Sequence, residues 1–290
     1  MNEIEKLLEF GIIILDKPIG PTSHKTTDFA RRILQTKKAG HSGTLDPKVS
    51  GVLPIALNKA TRILEVLLIM PKEYVGVMHL HEDVSLQELK QVIMKKFLGK
   101  IKQIPPKKSA VVRKEREREV YEFEILEKEG KDVLFKVKGQ AGLYVRKLIH
   151  DLGIALRVGA HMLELRRIAV GNFTENSAVT LYELASAYDA AKNGELAKMQ
   201  KIILPIEAAV QHLSKIYLRE DSEQKILHGQ YISAEEIIRA NNFKKNELTA
   251  GFIEKRLICL FRPIYSSNEI KRITKRDIKR KILRPEKVFV

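Results

Sequence analysis

One carboxylate stands alone in the middle of a loop that the sequence shapes tightly. Residues 39–51 contain three glycines, one proline and several hydroxyl residues, and their only acid is Asp46. Pro47 fixes its own φ and favours extended geometry at Asp46. A carboxylate held in this way is suited to nucleophilic or acid–base chemistry. An Asp-Pro pair also occurs in ordinary turns, so both interpretations stay open on these residues alone.

The chain carries a large excess of positive charge. It has 290 residues, with 52 Lys and Arg against 36 Asp and Glu and a formal net charge of +16. Hydrophobic residues make up 44% of the chain, which is typical of a folded basic protein rather than a disordered tail. The charge predicts a polyanionic partner, and the length allows one large domain and a small one.

The composition disfavours several classes of protein. Cys259 is the single cysteine, which excludes an internal disulfide and a cysteine-rich zinc site and suggests a reducing compartment. The close pair His79 and His81 is expected to face one side of a strand, at the surface or in a pocket lining. No run of about 18 apolar residues occurs, and the acidic start is unlike a signal peptide. We therefore expect a cytoplasmic protein with no metal and no membrane partner.

The pattern of apolar residues alternates between short strands and amphipathic helices. The predicted strands cover residues 11–15, 52–57, 73–80, 120–126, 132–138 and 163–170, and the predicted helices cover residues 23–34, 60–68, 85–97 and 142–159. The two strands on either side of residues 127–131 are predicted to form a hairpin.

The last quarter of the chain differs from the rest in charge. Residues 211–290 hold 18 Lys and Arg and 10 Asp and Glu, a net charge of +8, which is half of the total. We predict two domains, residues 1–210 and a small β-rich domain over residues 211–290. The densest basic run is a candidate RNA-binding patch that contains Lys271, Arg272, Lys275, Arg276, Lys279, Arg280 and Lys281.

Five motifs, in a fixed order, resemble the TruB family of pseudouridine synthases over about residues 11–175. They are Leu15-Asp16-Lys17-Pro18-x-Gly20-Pro21-Thr22-Ser23, Gly40-His41-Ser42-Gly43-Thr44-Leu45-Asp46-Pro47, Lys72-Glu73-Tyr74, Gly142-Leu143-Tyr144-Val145-Arg146 and Leu165-Arg166-Arg167. Within the family, residues 46–54, 72–75, 78–81, 105–106, 109–111, 130–135 and 160–167 are similar to the archaeal and eukaryotic dyskerin-like branch, the catalytic subunit of box H/ACA ribonucleoproteins.

The resemblance implies an α+β fold. Its expected form is a mixed, mostly antiparallel sheet flanked by helices, with a central cleft, followed by a small C-terminal β-rich domain like a PUA domain. It implies no cofactor, because uridine becomes pseudouridine by moving its own base from N1 to C5.

The same resemblance implies three catalytic residues. Asp46 is the expected nucleophile, through attack at ribose C1′ or abstraction at C2′. Tyr74 is expected to stack on the flipped base and to assist proton transfer at C5, and Arg146 to pair with Asp46. Without the family motifs, Tyr74 is as readily a core aromatic and Arg146 a surface arginine.

Four further residues are expected to bind the substrate. Lys17 supports the loop at the site, Leu165 lines the base pocket, and His41 resembles the histidine that inserts beside the flipped nucleotide. Tyr144 belongs to the same motif as Arg146. Taken alone, Leu165 would be a core residue and His41 a solvated loop residue.

Three functions compete at this stage. The first is a guided synthase with a box H/ACA guide RNA and small H/ACA protein subunits as partners and ribosomal RNA, transfer RNA or both as substrate. The second is a stand-alone enzyme for the T-loop of transfer RNA, and the third is a non-catalytic RNA-binding assembly protein. The intact set Asp46, Tyr74 and Arg146 argues against the third, and the dyskerin-like residues favour the first.

Overall fold

The chain folds into two compact units. The computed structural model describes residues 2–105, 112, 114–273 and 278–289. The first unit consists of Met1–Leu8 and Ile12–Ile203, and the second consists of Glu9–Gly11 and Leu204–Val290.

The first unit contains strands and helices that alternate along the chain. Its strands are β1 (Gly11–Lys17), β2 (Ala39–His41), β3 (Ser50–Leu57), β4 (Lys72–Leu80), β5 (Gly99–Gln103), β6 (Arg116–Glu129), β7 (Asp132–Gly139), β8 (Ala160–Val170) and β9 (Phe173–Thr174). Its α-helices are α1 (Glu3–Glu9), α2 (Ser23–Ile33), α3 (Leu64–Ile69), α4 (Leu86–Lys96), α5 (Val145–Ala155), α6 (Leu181–Lys192) and α7 (Ala197–Ile202).

These strands form one mixed sheet. Their order is β1-β3-β8-β4-β7-β6-β5, with β2 paired to β3 and β9 paired to β8. The β3–β8 pair is parallel, and the other pairs within this unit are antiparallel. The predicted mixed, mostly antiparallel sheet is confirmed, and the predicted hairpin is β6–β7.

Apolar side chains cover the sheet in two clusters. One lies between strands β4, β6, β7 and β8 and helices α4 and α5, and it includes Leu45 and Val49 from the loop before β3. The other joins β1 and β3 to helices α2, α6 and α7. The loop around Asp46 is therefore pinned to the core by the apolar residues on both sides of it.

Local sequence accounts for most element ends. Thr22 caps α2 by accepting a hydrogen bond from the backbone N–H of Lys25, and Ser85 caps α4 in the same way. The helix predicted over residues 60–68 begins instead as a 3₁₀ helix, Asn58–Ile63, before α3. Asn58 has a φ of +39°, a backbone conformation that asparagine tolerates better than most residues.

The second unit is a smaller β-rich body. Its strands are β10 (Leu204–Pro205), β11 (Ser214–Leu218), β12 (Ile232–Ser233), β13 (Ile237–Ala240), β14 (Thr249–Ile253), β15 (Arg256–Pro263) and β16 (Lys281–Val288), and its α-helices are α8 (Glu223–Leu227) and α9 (Ser267–Lys271). Six strands pair in the order β12-β16-β15-β14-β11-β13. None of the helices in the described residues of either unit is long and apolar enough to cross a membrane.

Candidate active site

The loop that carries Asp46 is fixed by hydrogen bonds on its N-terminal side. The Ser23 hydroxyl at the start of α2 accepts from the Leu45 N–H at 2.7 Å and donates to the Leu45 carbonyl at 3.1 Å. Both residues are buried. One serine side chain therefore satisfies both backbone groups of the residue before Asp46.

A second set of contacts fixes the loop after Asp46. The Gly20 N–H donates to the Pro47 carbonyl at 2.9 Å, and the Val49 N–H donates to the Asp46 carbonyl at 2.9 Å. The Lys17 ammonium, fully buried, donates to the Val49 carbonyl at 2.8 Å and to the Pro18 carbonyl at 2.9 Å. The backbone of Asp46 thus lies between two anchored segments, while its side chain remains 54% exposed.

Arg146 meets Asp46 across the site. Its Nη2 lies 2.6 Å from Oδ2 of Asp46, and both side chains are 54% exposed. The two residues are 100 positions apart in sequence, so the fold brings together the pair that the family resemblance predicts. The contact joins one nitrogen to one oxygen rather than forming two parallel hydrogen bonds within the described structure.

Gln103 holds the start of the helix that presents Arg146. Its side-chain amide lies at the end of β5 and is buried. Its Oε1 accepts from the Tyr144 N–H at 3.1 Å, and its Nε2 donates to the Tyr144 carbonyl at 3.2 Å. Tyr144 is the residue directly before α5, so this amide fixes the first turn in which Arg146 lies.

Tyr74 and Leu165 lie on the neighbouring strands β4 and β8. Leu165 is buried within the first apolar cluster, and Tyr74 is partly buried and packs against the same cluster. Tyr74 is the register partner of Arg167 on β8, so the two residues lie side by side on neighbouring strands. Tyr74 therefore packs against the apolar cluster at a position next to a buried arginine.

His41 and Lys17 lie in a strongly cationic environment. Burial lowers the pKa of His41, and the charges of Arg167 and His24 lower it further. Burial also lowers the pKa of Lys17, with the charge of Arg167 in the same direction and the charge of Asp46 opposing it. In the part of the chain that the structure describes, the Nδ1 of His41 is buried without a hydrogen-bond partner, so a bound ligand could supply one.

The histidine pair is part of a larger cluster at the far end of β4. His81 Nε2 lies 3.0 Å from His161 Nδ1, and His79 Nδ1 lies 2.6 Å from Asp132 Oδ1. The two histidines of the pair do face one side, as their spacing predicts. Within the described residues, no group of three or more His, Cys, Asp and Glu side chains is arranged to hold a metal ion.

The candidate basic patch belongs to the second unit. Lys271, Arg272, Lys279, Arg280 and Lys281 are exposed, whereas the predicted members Lys275 and Arg276 lie outside the described residues. Two of these cations lie over aromatic rings. The Arg280 guanidinium is 4.6 Å from the Tyr265 ring centre, and the Lys281 ammonium is 5.3 Å from the Tyr231 ring centre.

Sequence reasoning misses three residues that position the site. It assigns Ser23 only to a helix start, and it gives Gln103 and Arg167 no role of their own. Ser23 and Gln103 act through backbone groups far away in sequence, which no local pattern reveals. For Arg167 one sequence signal exists: side chains alternate along β8, so Arg167 lies on the face of the sheet opposite Arg166.

Two family models match consecutive parts of the chain. The model described as TruB family pseudouridylate synthase (N terminal domain) matches residues 31–145, and the model described as tRNA pseudouridylate synthase B C-terminal domain matches residues 146–211. Together they cover more than half of the chain.

Relatives match over nearly the whole length. A protein of Nanoarchaeum equitans named probable tRNA pseudouridine synthase B is 46% identical over 288 residues, 97% of this chain and 82% of the relative. A protein of Pyrococcus horikoshii with the same name is 47% identical over 271 residues, 92% of this chain and 81% of the relative.

Solved structures agree with the sequence comparison. A chain of the Cbf5-Nop10-Gar1 complex matches with a TM-score of 0.92 and 45% identity, over 100% of this chain and 88% of that chain. A chain of an H/ACA RNP bound to a substrate RNA containing 2′-deoxyuridine matches with a TM-score of 0.90 and 43% identity, over 100% and 88%. The chain therefore belongs to the TruB family and is an RNA pseudouridine synthase.

Proposed function

We propose that this pseudouridine synthase is the catalytic subunit of a guide-RNA-dependent box H/ACA particle. The observation that carries the proposal is the match of the whole chain to a chain solved within an H/ACA RNP with substrate RNA, at a TM-score of 0.90. In such a particle, base pairing with the guide RNA selects the uridine and the protein supplies the chemistry. Small proteins such as those in the Cbf5-Nop10-Gar1 complex are the further partners.

Asp46 is the nucleophile of this proposal. Its carboxylate is exposed while its backbone is held on both sides, so it can meet a nucleotide that has left the helical stack. Attack at ribose C1′, or removal of a proton at C2′, releases the base from N1. Arg146 holds one carboxylate oxygen and so directs the other toward the sugar.

The detached base must turn and rejoin the sugar through C5. Tyr74 and Leu165 supply the packed surface against which it turns, and the Tyr74 hydroxyl assists proton transfer at C5. His41, whose Nδ1 lacks a partner among the described residues, fills the space that the flipped nucleotide leaves in the stack. Lys17 and Tyr144 act through the backbone segments that carry Asp46 and Arg146.

The second unit is a PUA-like RNA-binding domain in this proposal, and residues 1–210 and 211–290 are the functional division. Support comes from its β-rich sheet and from the net charge of +8 over residues 211–290. Exposed lysines and arginines contact phosphates without reading sequence. A guide-RNA partner and a single cysteine that is buried fit a cytoplasmic particle.

A second candidate function is unguided modification of transfer RNA. It is favoured by the name of the relatives, probable tRNA pseudouridine synthase B, and by the family model for residues 146–211. Both functions use the same site and differ in what presents the uridine. One enzyme can carry out both, with ribosomal RNA modified through a guide and transfer RNA without one.

A reconstitution separates the two functions. The full chain is incubated with 5-tritiated ribosomal RNA fragment or transfer RNA, with and without a hairpin guide RNA that ends in ACA and small H/ACA proteins. The guided function predicts tritium release from the ribosomal RNA fragment only when a complementary guide is present. Release from transfer RNA alone, with no guided activity on any complementary target, would overturn the proposal in favour of the second candidate.

A further inference from the structure

A small cavity on the second unit is lined by two arginines. Its volume is about 220 Å³, and its lining residues are Arg262 on β15 and Arg284, Pro285 and Glu286 on β16. Pockets that hold a whole small-molecule ligand are larger, at about 300–1,000 Å³. The space therefore suits a single anionic group rather than a complete cofactor.

The pairing of β15 with β16 places the two arginines opposite each other. Arg262 and Arg284 are register partners, so their side chains stand on the same face of the sheet. Like charges directly opposite each other destabilise a sheet. In the first unit, by contrast, Glu122 on β6 is the register partner of Lys138 on β7. A pair of arginines that breaks this rule is expected where a function compensates for the cost.

An irregularity of β16 brings a carboxylate to one of the two arginines. The register shifts between Leu260 and Phe261, so β16 carries one extra residue there, Glu286, and a bulge of this kind redirects a side chain. Oε2 of Glu286 lies 2.5 Å from Nε of Arg262. Nη1 of Arg262 donates to the Asn246 carbonyl at 3.1 Å. The protein therefore holds the Arg262 guanidinium in place through two of its three nitrogens.

Arg284 is the arginine that remains available to a ligand. It is exposed, and within the described residues no hydrogen bond or ion pair occupies its guanidinium. A guanidinium offers five N–H donors in a planar array that matches two oxygens of one phosphate. With two arginines and one glutamate, the cavity keeps a net positive charge. Its chemistry therefore favours an oxyanion that Arg284 binds and Arg262 attracts.

The RNA backbone is the source of such an anion for an RNA-modifying enzyme. The cavity lies within residues 211–290, which carry a net charge of +8, and a field of this sign draws nucleic acid to the surface. Arginines that contact phosphates fix the position of a nucleic acid without reading its sequence. A cavity that admits one anionic group is matched to one phosphate of the chain.

We propose that the cavity between Arg262 and Arg284 binds one phosphate of the RNA backbone, with Arg284 as its direct contact. The proposal rests on the proposed RNA-binding role of the second unit. It adds to the candidate basic patch a defined point at which the backbone is fixed.

The test uses the full chain, a hairpin RNA that ends in ACA, and the variants Arg284→Ala and Arg284→Lys. The matched control is Lys255→Ala, which removes the same charge from an exposed residue. Lys255 directly precedes β15, at the end opposite Arg262, about 20 Å away at the rise of a β-strand. Dissociation constants are measured over a range of salt concentrations.

We expect Arg284→Ala to weaken RNA binding about tenfold, the scale of one hydrogen bond to a charged group. The slope of log affinity against log salt concentration should decrease by about 0.7–0.9, the value for one phosphate. Arg284→Lys should keep the slope and lose part of the affinity, because an ammonium lacks the planar donors. Equal weakening by Arg284→Ala and Lys255→Ala would overturn the inference in favour of a diffuse basic surface.

Single methylphosphonate linkages locate the phosphate, since each replaces a charged oxygen by a methyl group. At the linkage that the cavity binds, the replacement should weaken binding to the wild type and have no further effect on Arg284→Ala. The absence of any such linkage would overturn the inference. Inorganic phosphate that binds the wild type but not Arg284→Ala, with equal RNA affinity for both proteins, would assign the cavity to a free anion and overturn it too.

The double variant Lys271→Glu with Lys279→Glu separates this inference from the role on which it rests. If the double variant weakens RNA binding and Arg284→Ala does not, the cavity assignment alone is refuted. If neither weakens it, RNA binding by the second unit is refuted as well. Arg284→Ala should keep or raise the unfolding temperature, because it removes the contact between like charges. A lower unfolding temperature would contradict the argument from the paired arginines.

Discussion

Replacing Arg146 by lysine distinguishes the effect of Arg146 on the position of Asp46 from its effect on the stability of the fold. The guanidinium contacts Asp46 through one hydrogen bond of 2.6 Å from a helix turn that the Gln103 amide fixes. Lysine keeps the charge but offers a compact ammonium on a flexible stem, without the planar array of donors. The change therefore keeps the electrostatic attraction between residue 146 and Asp46 but removes the fixed donor geometry of the guanidinium.

The two effects differ in size. Both side chains are 54% exposed, and exposed ion pairs contribute about 0–1 kcal/mol to the free energy of unfolding. The rate should fall far more, because displacing a reacting group by about 1 Å costs about 10²-fold. That factor corresponds to about 2.7 kcal/mol in the activation free energy. We expect a loss of rate that is much larger than the loss of stability.

Single-turnover tritium release gives the rate, and denaturant unfolding gives the stability. The matched control is Lys147→Arg, one residue further along α5, where the ion pair is with Asp151. It should leave the rate within about twofold, since it lies outside the proposed site. A near-normal rate for Arg146→Lys, or an equal loss in the control, would refute the positioning role of Arg146.

Three further predictions concern the supports of the site and the basic patch. Gln103→Leu should lower the free energy of unfolding by about 1–2 kcal/mol, because it removes two partly buried hydrogen bonds to the backbone of Tyr144, although the Tyr144 carbonyl keeps the hydrogen bond from the Leu148 N–H. The change should also slow turnover, and unaltered turnover would mean that the helix start is fixed by other contacts. Burial lowers the pKa of Lys72 from 10.5 to about 7, so the unfolded chain binds more protons than the folded chain between these two pH values. The free energy of unfolding, relative to that of Lys72→Met, should therefore rise from about pH 7 to pH 10 by up to about 1.4 kcal/mol per pH unit. A difference between the two proteins that does not change with pH in chemical unfolding would contradict this. The double variant Lys271→Glu with Lys279→Glu should weaken binding of an ACA-tailed hairpin RNA. It should also reduce the slope of log affinity against log salt concentration by about 0.9 for each phosphate that the protein no longer neutralises. Equal weakening for a hairpin with an altered tail would indicate a non-specific basic surface.

The sequence predicts the strands well because their signals are local. The β-branched run from Ile12 to Ile14 gives β1, which is buried along almost its whole length. The 3₁₀ turn before α3 escapes prediction, because its apolar spacing is the same as that of an α-helix. The segment begins at Asn58 with a φ of +39°, a backbone feature that periodicity does not describe.

The sequence predicts the site residues that belong to a motif, but it does not predict the contacts that depend on how the strands pair. Asp46 and Arg146 follow from motifs, yet no local pattern indicates that they meet across 100 positions of sequence. His161 joins His81 only because β4 and β8 are neighbours in a particular register. Arg166 and Arg167 are both arginines, but successive side chains of a strand point to opposite faces of the sheet. Arg166 therefore pairs with Asp16, whereas Arg167 is buried against the loop at Gly43.

Asp46→Asn tests most directly that this carboxylate performs the reaction. The amide keeps the volume and the held backbone but removes the nucleophile, so single-turnover conversion of a guided 5-tritiated RNA should fall to background. Binding of the same RNA, measured by filter retention, should stay within a few-fold of the wild type, because phosphate contacts supply most of the affinity. Conversion clearly above background by folded Asp46→Asn would contradict the assignment of Asp46.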